Sequence, residues 1–287
     1  MISIIIPTYN RAHSLPRAVN SVLNQTNPNW ELIIVDDGST DNTSVIVKDY
    51  LKYTNIKYVQ KENTGAGDSR NKGAALASFD YIAFLDSDDE LNLMWIEEFL
   101  EVIKNDNVGI IFCEAIKVDL NSNQPTPITL KSNEKLYHTA TPFNFLGGCF
   151  LVNKGLFDTI KGYDSLFPSN QHFELSLRLI PKLLQSDFKI YSIKKQLVTI
   201  YVSSDDRIRK NWKSIYEGTN LLIKKHKDFL SNEPNALSVS YAVLANTGNK
   251  IGVNKYEVVK HQSHAIYYNP FNFKNYLRLL IYFFNVK

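Results

Sequence analysis

Short apolar runs alternate with amphipathic segments along the first third of the chain. The runs are Ile2–Ile6, Trp30–Val35, Ile56–Val59 and Tyr81–Leu85. Their length is that of β-strands. After the first run, apolar side chains recur at Leu15, Val19 and Val22, which is the spacing of a helix with one buried face. This alternation predicts an α/β fold, in which a parallel sheet is covered by helices on both faces.

The alternation loosens after a further strand at Val108–Cys113. Residues 119–136 are polar and contain two prolines, which is typical of a surface excursion. Phe145–Val152 is predicted to be a strand. Its Gly147-Gly148 pair indicates a close approach of the backbone to another group.

Helical periodicity dominates the last part of the chain. It is clearest in Asn211–His226 and Ser238–Asn246. We therefore predict one α/β domain over residues 1–205 and a helical C-terminal extension over residues 206–287.

Polar side chains follow three of the predicted strands at the point where each strand ends. They lie at Thr8–Asn10, Asp36–Asp37 and Asp86–Asp89. The carboxyl ends of parallel strands meet at the edge where open α/β sheets bind ligands. If neighbouring strands supply these residues, the residues form a single cleft.

The stretch from Asp86 to Glu90 carries four carboxylates in five positions. Crowded carboxylates repel one another and are stabilised by a divalent cation, and Mg²⁺ and Mn²⁺ prefer oxygen ligands. Asp86 and Asp88 could therefore hold a metal ion that bridges a diphosphate. The alternative is a solvated acidic turn that caps the next helix, whose apolar positions begin near Leu93.

The residues at the ends of the other predicted strands could bind a nucleotide. Pro7–Tyr9 offers an aromatic ring and backbone groups against which a base could lie. Asp37 could accept a hydrogen bond from the N–H of a uracil-type base, and Arg70 with Lys72 could neutralise phosphate. Each feature alone has an ordinary structural explanation, such as a helix cap or a solvated helix residue. Their joint occurrence in this order is the stronger signal.

Four motifs carry that signal: Ile-Pro-Thr-Tyr-Asn (6–10), Val-Asp-Asp-Gly-Ser-Thr-Asp (35–41), Asn-Thr-Gly with Arg-Asn-Lys-Gly (63–65 and 70–73), and Phe-Leu-Asp-Ser-Asp-Asp (84–89). With them the chain resembles family 2 glycosyltransferases of the GT-A fold. The resemblance is nearly continuous over 2–100 and looser over 147–179, and residues 207–226 are similar to bacterial polysaccharide-type members. It implies a Rossmann-like, mostly parallel central sheet flanked by helices. Residues 1–110 would be the nucleotide-sugar-binding half and 111–205 the acceptor-side half.

The resemblance also implies a set of donor-binding residues, namely Pro7, Thr8, Tyr9, Asp37, Arg70 and Asp86. The first three would flank the nucleoside, Asp37 would lie at its base, and Arg70 would lie near the base or the phosphates. Asp86 and Asp88 would form the Asp-x-Asp motif, with Asp88 as the direct ligand of a Mn²⁺ or Mg²⁺ cofactor.

The position of the catalytic base departs from the family pattern. Family members usually carry a Glu-Asp pair just before an aromatic-Glu-Leu-x-Leu-Arg-Leu helix, and this chain has Gln171-His172 before a matching segment. His172 could itself be the base, because an unperturbed imidazole has a pKa of about 6.5 and is largely neutral at cytoplasmic pH. Glu174 is a second candidate. The third alternative is impaired transfer in a protein that still binds its nucleotide.

The implied activity is that of a metal-dependent, inverting hexosyltransferase. Such an enzyme moves a sugar from a nucleotide-sugar, here expected to be a UDP-sugar, to a glycan or lipid-linked saccharide acceptor. The expected setting is cell-surface polysaccharide synthesis, such as that of capsule or O-antigen. The alternative is a catalytically silent nucleotide-sugar-binding subunit that partners an active transferase.

Composition adds few constraints. The chain has 287 residues, of which 44% are hydrophobic and 21% charged, and a net charge of +3 is too small to indicate nucleic-acid binding. Cys113 and Cys149 indicate neither a zinc site nor a disulfide framework.

The first apolar run stops at Pro7, too early for a signal peptide, and no run reaches the ~18 residues of a membrane span. We expect a cytoplasmic protein.

Residues 271–287 are a candidate for contact with a membrane surface. Aromatic and aliphatic residues there are interleaved with Lys274, Arg278 and Lys287, as in amphipathic helices that lie on anionic bilayers. Such a helix would place the protein peripherally on the inner face of the cell membrane. The alternative is a final helix that packs on its own domain or on a second subunit.

Overall fold

The computed structural model describes residues 1–131, 141, 143, 145–202 and 211–284. Two compact units are present, one formed by Met1–Ser165 with Leu175–Ser204 and the other by Leu166–Glu174 with Asp205–Lys287. Lys287 and the first residues of the 207–226 match lie outside the described residues.

Strands and helices alternate at first, and helices follow one another later. In chain order the elements are β1 (Ile2–Thr8), α1 (Leu15–Leu23), β2 (Trp30–Asp36), α2 (Thr43–Lys48), β3 (Ile56–Gln60), α3 (Ala66–Leu76), β4 (Tyr81–Phe84), β5 (Glu90–Leu91), α4 (Trp95–Ile103), β6 (Val108–Asp119), β7 (Pro125–Ile128), β8 (Phe150–Asn153), α5 (Lys154–Thr159), α6 (Gln171–Leu184), β9 (Lys189–Val202), α7 (Trp212–Lys225), α8 (Lys227–Ser231), α9 (Pro234–Lys250), α10 (Lys255–Tyr268) and α11 (Phe273–Phe284).

The strands of the first unit form one sheet in the order β3-β2-β1-β4-β8-β6-β9-β5, with β7 paired to β6. The pairs β3–β2, β2–β1 and β1–β4 are parallel. Antiparallel pairs join β4 to β8, β8 to β6, and β9 to β5, while β6 and β9 are parallel. The predicted α/β fold is confirmed, with a parallel half that comes from the first four strands.

The central strand β1 shows why the early sequence pattern predicts its structure well. All seven of its residues are buried. Ile4 and Ile6 belong to the core cluster that also contains Leu15 and Val19 of α1. On the other side, a Cβ added at Gly73 of α3 would lie 2.3 Å from Ile5 Cγ2, so glycine permits the close packing of α3 on β1. Both faces of the strand are therefore covered.

The second unit is helical, as predicted for the C-terminal region. Helix α9 contacts α7 and α10, and α10 contacts α11. Tyr282 of α11 packs in a small buried cluster with Ala245 and Val258. Within the described ranges, none of the helices is both long and apolar enough to cross a membrane.

Candidate active site

The carboxyl ends of β2, β1 and β4 lie side by side at one edge of the sheet. Thr8 pairs with Asp36 at the ends of their strands, and the Asp37 N–H donates to the Thr8 carbonyl at 2.8 Å. On the other side of β1, the Leu85 N–H donates to the Ile5 carbonyl at 2.9 Å. The three polar strand ends therefore share one edge of the sheet.

Asn10 fixes the loop that follows β1. Its φ of 52° lies in the left-handed region, which asparagine tolerates better than most residues, and its Oδ1 accepts from the Thr40 N–H at 2.8 Å. Pro7 is buried in β1, whereas the Tyr9 side chain is 46% exposed. The buried Thr8 Oγ1 makes no hydrogen bond within the described part of the chain. The edge thus presents an open aromatic ring beside a hydroxyl group that can still bond.

Asp37 holds the loop that precedes α3. Its Oδ1 accepts from the Thr64 N–H at 3.0 Å and pairs with the Lys61 ammonium, and its Oδ2 accepts from the Gly65 N–H at 2.8 Å. Burial acts to lower the pKa of Lys61, but Asp37 and Asp68 outweigh it and raise that pKa above its ordinary value. A carboxylate offers about four acceptor positions, so contact between Asp37 and a nucleotide base stays a prediction that this geometry allows.

Arg70 is the buried cation of the site. Its side chain is 7% exposed, and its Nη2 lies 2.7 Å from Asp86 Oδ1. The guanidinium carbon lies 5.3 Å from the centre of the Tyr163 ring. Burial acts to lower the pKa of Arg70, but the Asp86 carboxylate outweighs it and raises that pKa, so the guanidinium stays charged. This ion pair connects α3 to the turn formed by Asp86–Glu90, which we call the acidic turn.

Gly147 packs against the Asp86 carboxylate. A Cβ added at Gly147 would lie 2.6 Å from Asp86 Oδ2. Gly148 has a φ of +72°, and its carbonyl accepts from the Trp95 indole N–H at 2.8 Å. The close backbone approach predicted for this glycine pair is therefore present. The predicted strand over Phe145–Val152 was wrong in its first half, because the left-handed turn at Gly148 delays the strand to Phe150.

Asp88 and Asp86 are partly exposed carboxylates of the acidic turn. Their side chains are 28% and 34% exposed. Asp88 Oδ2 lies 3.5 Å from Nη2 of Arg11, which the sequence pattern did not single out. The Arg11 backbone is fixed because its N–H donates to Thr43 Oγ1 at 3.1 Å. A cation therefore stands beside each of these two carboxylates.

The remaining acidic residues of the turn bind Tyr201 in β9. The Tyr201 N–H donates to Asp89 Oδ1 at 3.0 Å, and its hydroxyl donates to Glu90 Oε2 at 2.9 Å. The Arg17 guanidinium lies 3.7 Å from the centre of the Tyr201 ring and donates to the Asp88 carbonyl. Burial, with the charges of Asp86 and Asp88, raises the pKa of Asp89 well above its ordinary value. Asp89 and Glu90 thus secure the turn from within the protein.

The turn suits a cation that is shared with a substrate. Both candidate ligands are carboxylates, and both are partly exposed. No group of three or more His, Cys, Asp or Glu side chains that could hold a metal occurs among residues 1–131, 141, 143, 145–202 and 211–284. Mg²⁺ is commonly bound by one or two carboxylates together with substrate phosphates. Asp86 and Asp88 fit that mode of binding.

His172 and Glu174, the two candidate bases, belong to the second unit at the start of α6. His172 is half-buried, and Glu174 is 1% exposed. Glu174 Oε1 lies 2.7 Å from Lys225 Nζ and 3.2 Å from His226 Nε2. Within this unit Glu174 therefore connects the start of α6 to the end of α7.

We expect Glu174→Gln to lower the free energy of unfolding by about 2–3 kcal/mol, because it leaves the Lys225 charge without its buried partner. This loss of stability should be small for a buried ion pair, because the Lys225 side chain is about a third exposed. Urea denaturation measures it. The matched control is Glu217→Gln, which removes an exposed pair with Lys213 at 3.9 Å and should change stability by less than about 0.5 kcal/mol. Equal stability of Glu174→Gln and wild type would contradict the structural role.

Comparison with known proteins adds sequence relatives to this geometry. The model of the family described as glycosyl transferase family 2 matches residues 3–160. The putative teichuronic acid biosynthesis glycosyltransferase TuaG of Bacillus subtilis is 35% identical over 157 residues, which cover 53% of this chain and 61% of TuaG. The chondroitin synthase of Escherichia coli is 39% identical over 114 residues, which cover 38% of this chain and 17% of that protein. The chain thus spans less than two thirds of either relative.

The solved structures show the same fold. The structure of Staphylococcus aureus TarS 1–349 in complex with UDP-GlcNAc matches with a TM-score of 0.63. At 19% sequence identity, the match covers 97% of this chain and 90% of that one. The sheet of the first unit and its flanking helices therefore form the GT-A fold that the motifs predicted.

Proposed function

Because the chain belongs to glycosyl transferase family 2, we propose that it moves a hexosyl group from a UDP-sugar to a hydroxyl group of a saccharide acceptor. The observation that carries this proposal is the Asp86–Asp88 turn at the carboxyl edge of the sheet, where Asp86 lies beside the buried Arg70 and Asp88 beside Arg11. The names of TuaG and chondroitin synthase support an acceptor in polysaccharide synthesis.

The proposed nucleotide site lies along the edge formed by β2, β1 and β4. The open ring of Tyr9 offers a face for the base, and the Thr8 hydroxyl can bond to the nucleoside. Asp37 has acceptor capacity left for the N–H of uracil. The TarS complexes with UDP-GlcNAc and with UDP support the choice of a uridine nucleotide.

Asp86 and Asp88 are the proposed ligands of a Mn²⁺ or Mg²⁺ ion. When bound, such a cation supplies positive charge to the departing nucleoside diphosphate. Arg70 keeps Asp86 in place and contributes a permanent charge next to it. Arg17 donates to the Asp88 carbonyl and the Tyr201 N–H donates to the Asp89 carboxylate, so the turn that carries Asp86 and Asp88 is held in place.

His172 is the proposed general base. The acceptor oxygen forms a bond to the anomeric carbon while the bond from that carbon to the diphosphate oxygen breaks, and the acceptor proton passes to the imidazole. Attack on the face opposite the leaving group inverts the anomeric configuration. We assign this role to His172 rather than Glu174, because the Glu174 carboxylate is engaged by Lys225 and His226.

A panel of nucleotide sugars tests the donor assignment. A donor present at 100 times its dissociation constant stabilises a protein by about 2.7 kcal/mol, which corresponds to roughly 5 °C or more in melting temperature for a chain of this size. We expect one or more UDP-sugars to give this shift with Mn²⁺, and the corresponding GDP-sugars to give none. A shift with GDP-sugars alone would contradict the uridine assignment.

The silent nucleotide-sugar-binding subunit is the second candidate function. It is favoured by one observation, the Gln171-His172 pair in place of the usual Glu-Asp. It predicts tight UDP-sugar binding without turnover, and no gain of turnover in His172→Asp.

A further inference from the structure

Helix α11 packs on its own unit through a narrow side that contains Asn275 and Tyr282. Asn275 is 1% exposed and Tyr282 is 8% exposed, whereas most of the other residues of the helix are exposed. The exposed side carries seven apolar residues whose side chains are between 38% and 79% exposed: Phe273, Tyr276, Leu277, Leu280, Ile281, Phe283 and Phe284. We call these seven residues the α11 apolar face. An amphipathic helix of a water-exposed domain usually has the opposite orientation.

Hydrogen bonds fix this orientation. Gln262, which is fully buried, donates its Nε2 hydrogen to the Asn275 carbonyl at 3.0 Å. Asn275 Nδ2 lies 3.4 Å from Ser238 Oγ and 3.5 Å from the Ala265 carbonyl. Turning α11 to bury its apolar face would break these bonds and leave buried polar groups unpaired, which is costly. The apolar face is therefore presented outward by the unit's own packing.

Two further exposed aromatic residues precede α11 in the chain. Phe271, just before α11, is 84% exposed, and Tyr267 near the end of α10 is 77% exposed. Contiguous exposed apolar surface of this kind marks a site of interaction with a protein or a membrane. Large aromatic residues are also typical of segments that lie at a membrane interface.

The charges around the face select between these partners. No Asp or Glu occurs in the sequence of residues 258–287, whereas helix α11 carries Lys274 and Arg278. Lys274 and Arg278 are exposed and lie one helical turn apart beside the apolar face. Cations that border an apolar helix face are attracted to anionic lipid head groups while the apolar side chains enter the acyl boundary.

We infer that the α11 apolar face docks on the surface of an anionic lipid bilayer, with α11 parallel to the membrane plane. The helix is not long and apolar enough to cross the bilayer. The inference goes beyond the proposed reaction and does not depend on it, because it concerns only the second unit and its test contains no nucleotide sugar.

Co-sedimentation of the full chain with vesicles tests the inference. Vesicles of phosphatidylcholine containing about a third phosphatidylglycerol should bind the wild-type protein, and vesicles of phosphatidylcholine alone should bind it much more weakly. The variant Phe273→Ser/Leu277→Ser/Leu280→Ser should bind the anionic vesicles at least about a hundredfold more weakly. The variant Lys274→Gln/Arg278→Gln should lose roughly thirtyfold, since each cation contributes to attraction at the surface.

A matched control removes three exposed apolar side chains elsewhere. Val45→Ser/Leu51→Ser/Leu120→Ser should bind anionic vesicles as wild type does, and all variants should keep the wild-type melting temperature because the altered residues are exposed. Failure of the wild type to bind anionic vesicles would overturn the inference, as would undiminished binding of the α11 triple variant. A wild-type dimer that this triple variant converts to a monomer, without any vesicle binding, would show that a second copy covers the face.

Discussion

Replacing Asp88 by asparagine should lower sugar transfer on the order of a thousandfold, because it removes a proposed ligand of a cation that would offset charge on the leaving diphosphate. The fold should remain intact. Asp88 is 28% exposed, and its pair with Arg11 at 3.5 Å is open to solvent, so its loss should cost less than about 1 kcal/mol of stability. The measurement is initial-rate kinetics with Mn²⁺ varied, together with thermal unfolding.

The matched control for this variant is Asp158→Asn, which alters an exposed carboxylate paired with Lys154 at 2.9 Å on α5. We expect it to change the rate by less than about twofold, as for an ordinary surface pair. A second variant, Gly147→Ala, keeps both carboxylates but places a methyl group 2.6 Å from Asp86 Oδ2, so Asp86 must shift. This variant should raise the concentration of Mn²⁺ that is needed for sugar transfer. If Asp88→Asn transfers sugar at the wild-type rate, the metal assignment is wrong.

Replacing His172 by alanine should lower kcat by about a hundredfold to ten-thousandfold and leave UDP binding nearly unchanged, because a general base acts only in the chemical step. The dissociation constant for UDP, measured by calorimetry, separates the two effects. His13→Ala, which alters an exposed histidine, is the control and should leave kcat unchanged.

The pH profile distinguishes a base from a structural residue. A general base must be unprotonated to accept the acceptor proton, so kcat of the wild type should fall towards acid pH. His172→Asp should recover part of the activity and move this fall to lower pH. Turnover of His172→Ala at the wild-type rate would remove His172 from the mechanism.

The strands before residue 110 could be predicted because their apolar residues form short local runs of strand length. In β1 every residue is buried, and the sequence is mostly apolar from Ile2 until the polar loop that follows Thr8. The same reasoning failed for Phe145–Val152. There the apolar run is real, but the first part forms the turn at Gly148 that packs near Asp86.

The acidic cluster shows what sequence patterns leave out. Asp86, Asp88, Asp89 and Glu90 are alike in the sequence, yet Asp86 and Asp88 lie beside Arg70 and Arg11, while Asp89 and Glu90 bind Tyr201. Tyr201 is more than a hundred residues away along the chain, and no periodicity relates it to the turn. For Arg11 the sequence contains one weak indication of a place in the site, namely its position directly after the Pro7–Asn10 loop.

The assay that tests the central claim most directly is acceptor-dependent release of UDP, measured with the UDP-sugar that stabilises the protein best and a panel of saccharide acceptors. The account predicts UDP release that requires both Mn²⁺ or Mg²⁺ and the acceptor, and a product whose anomeric configuration, read by NMR, is opposite to that of the donor. Tight binding of the UDP-sugar without turnover on any acceptor, in wild type and in His172→Asp alike, would contradict the account and identify a silent binding subunit.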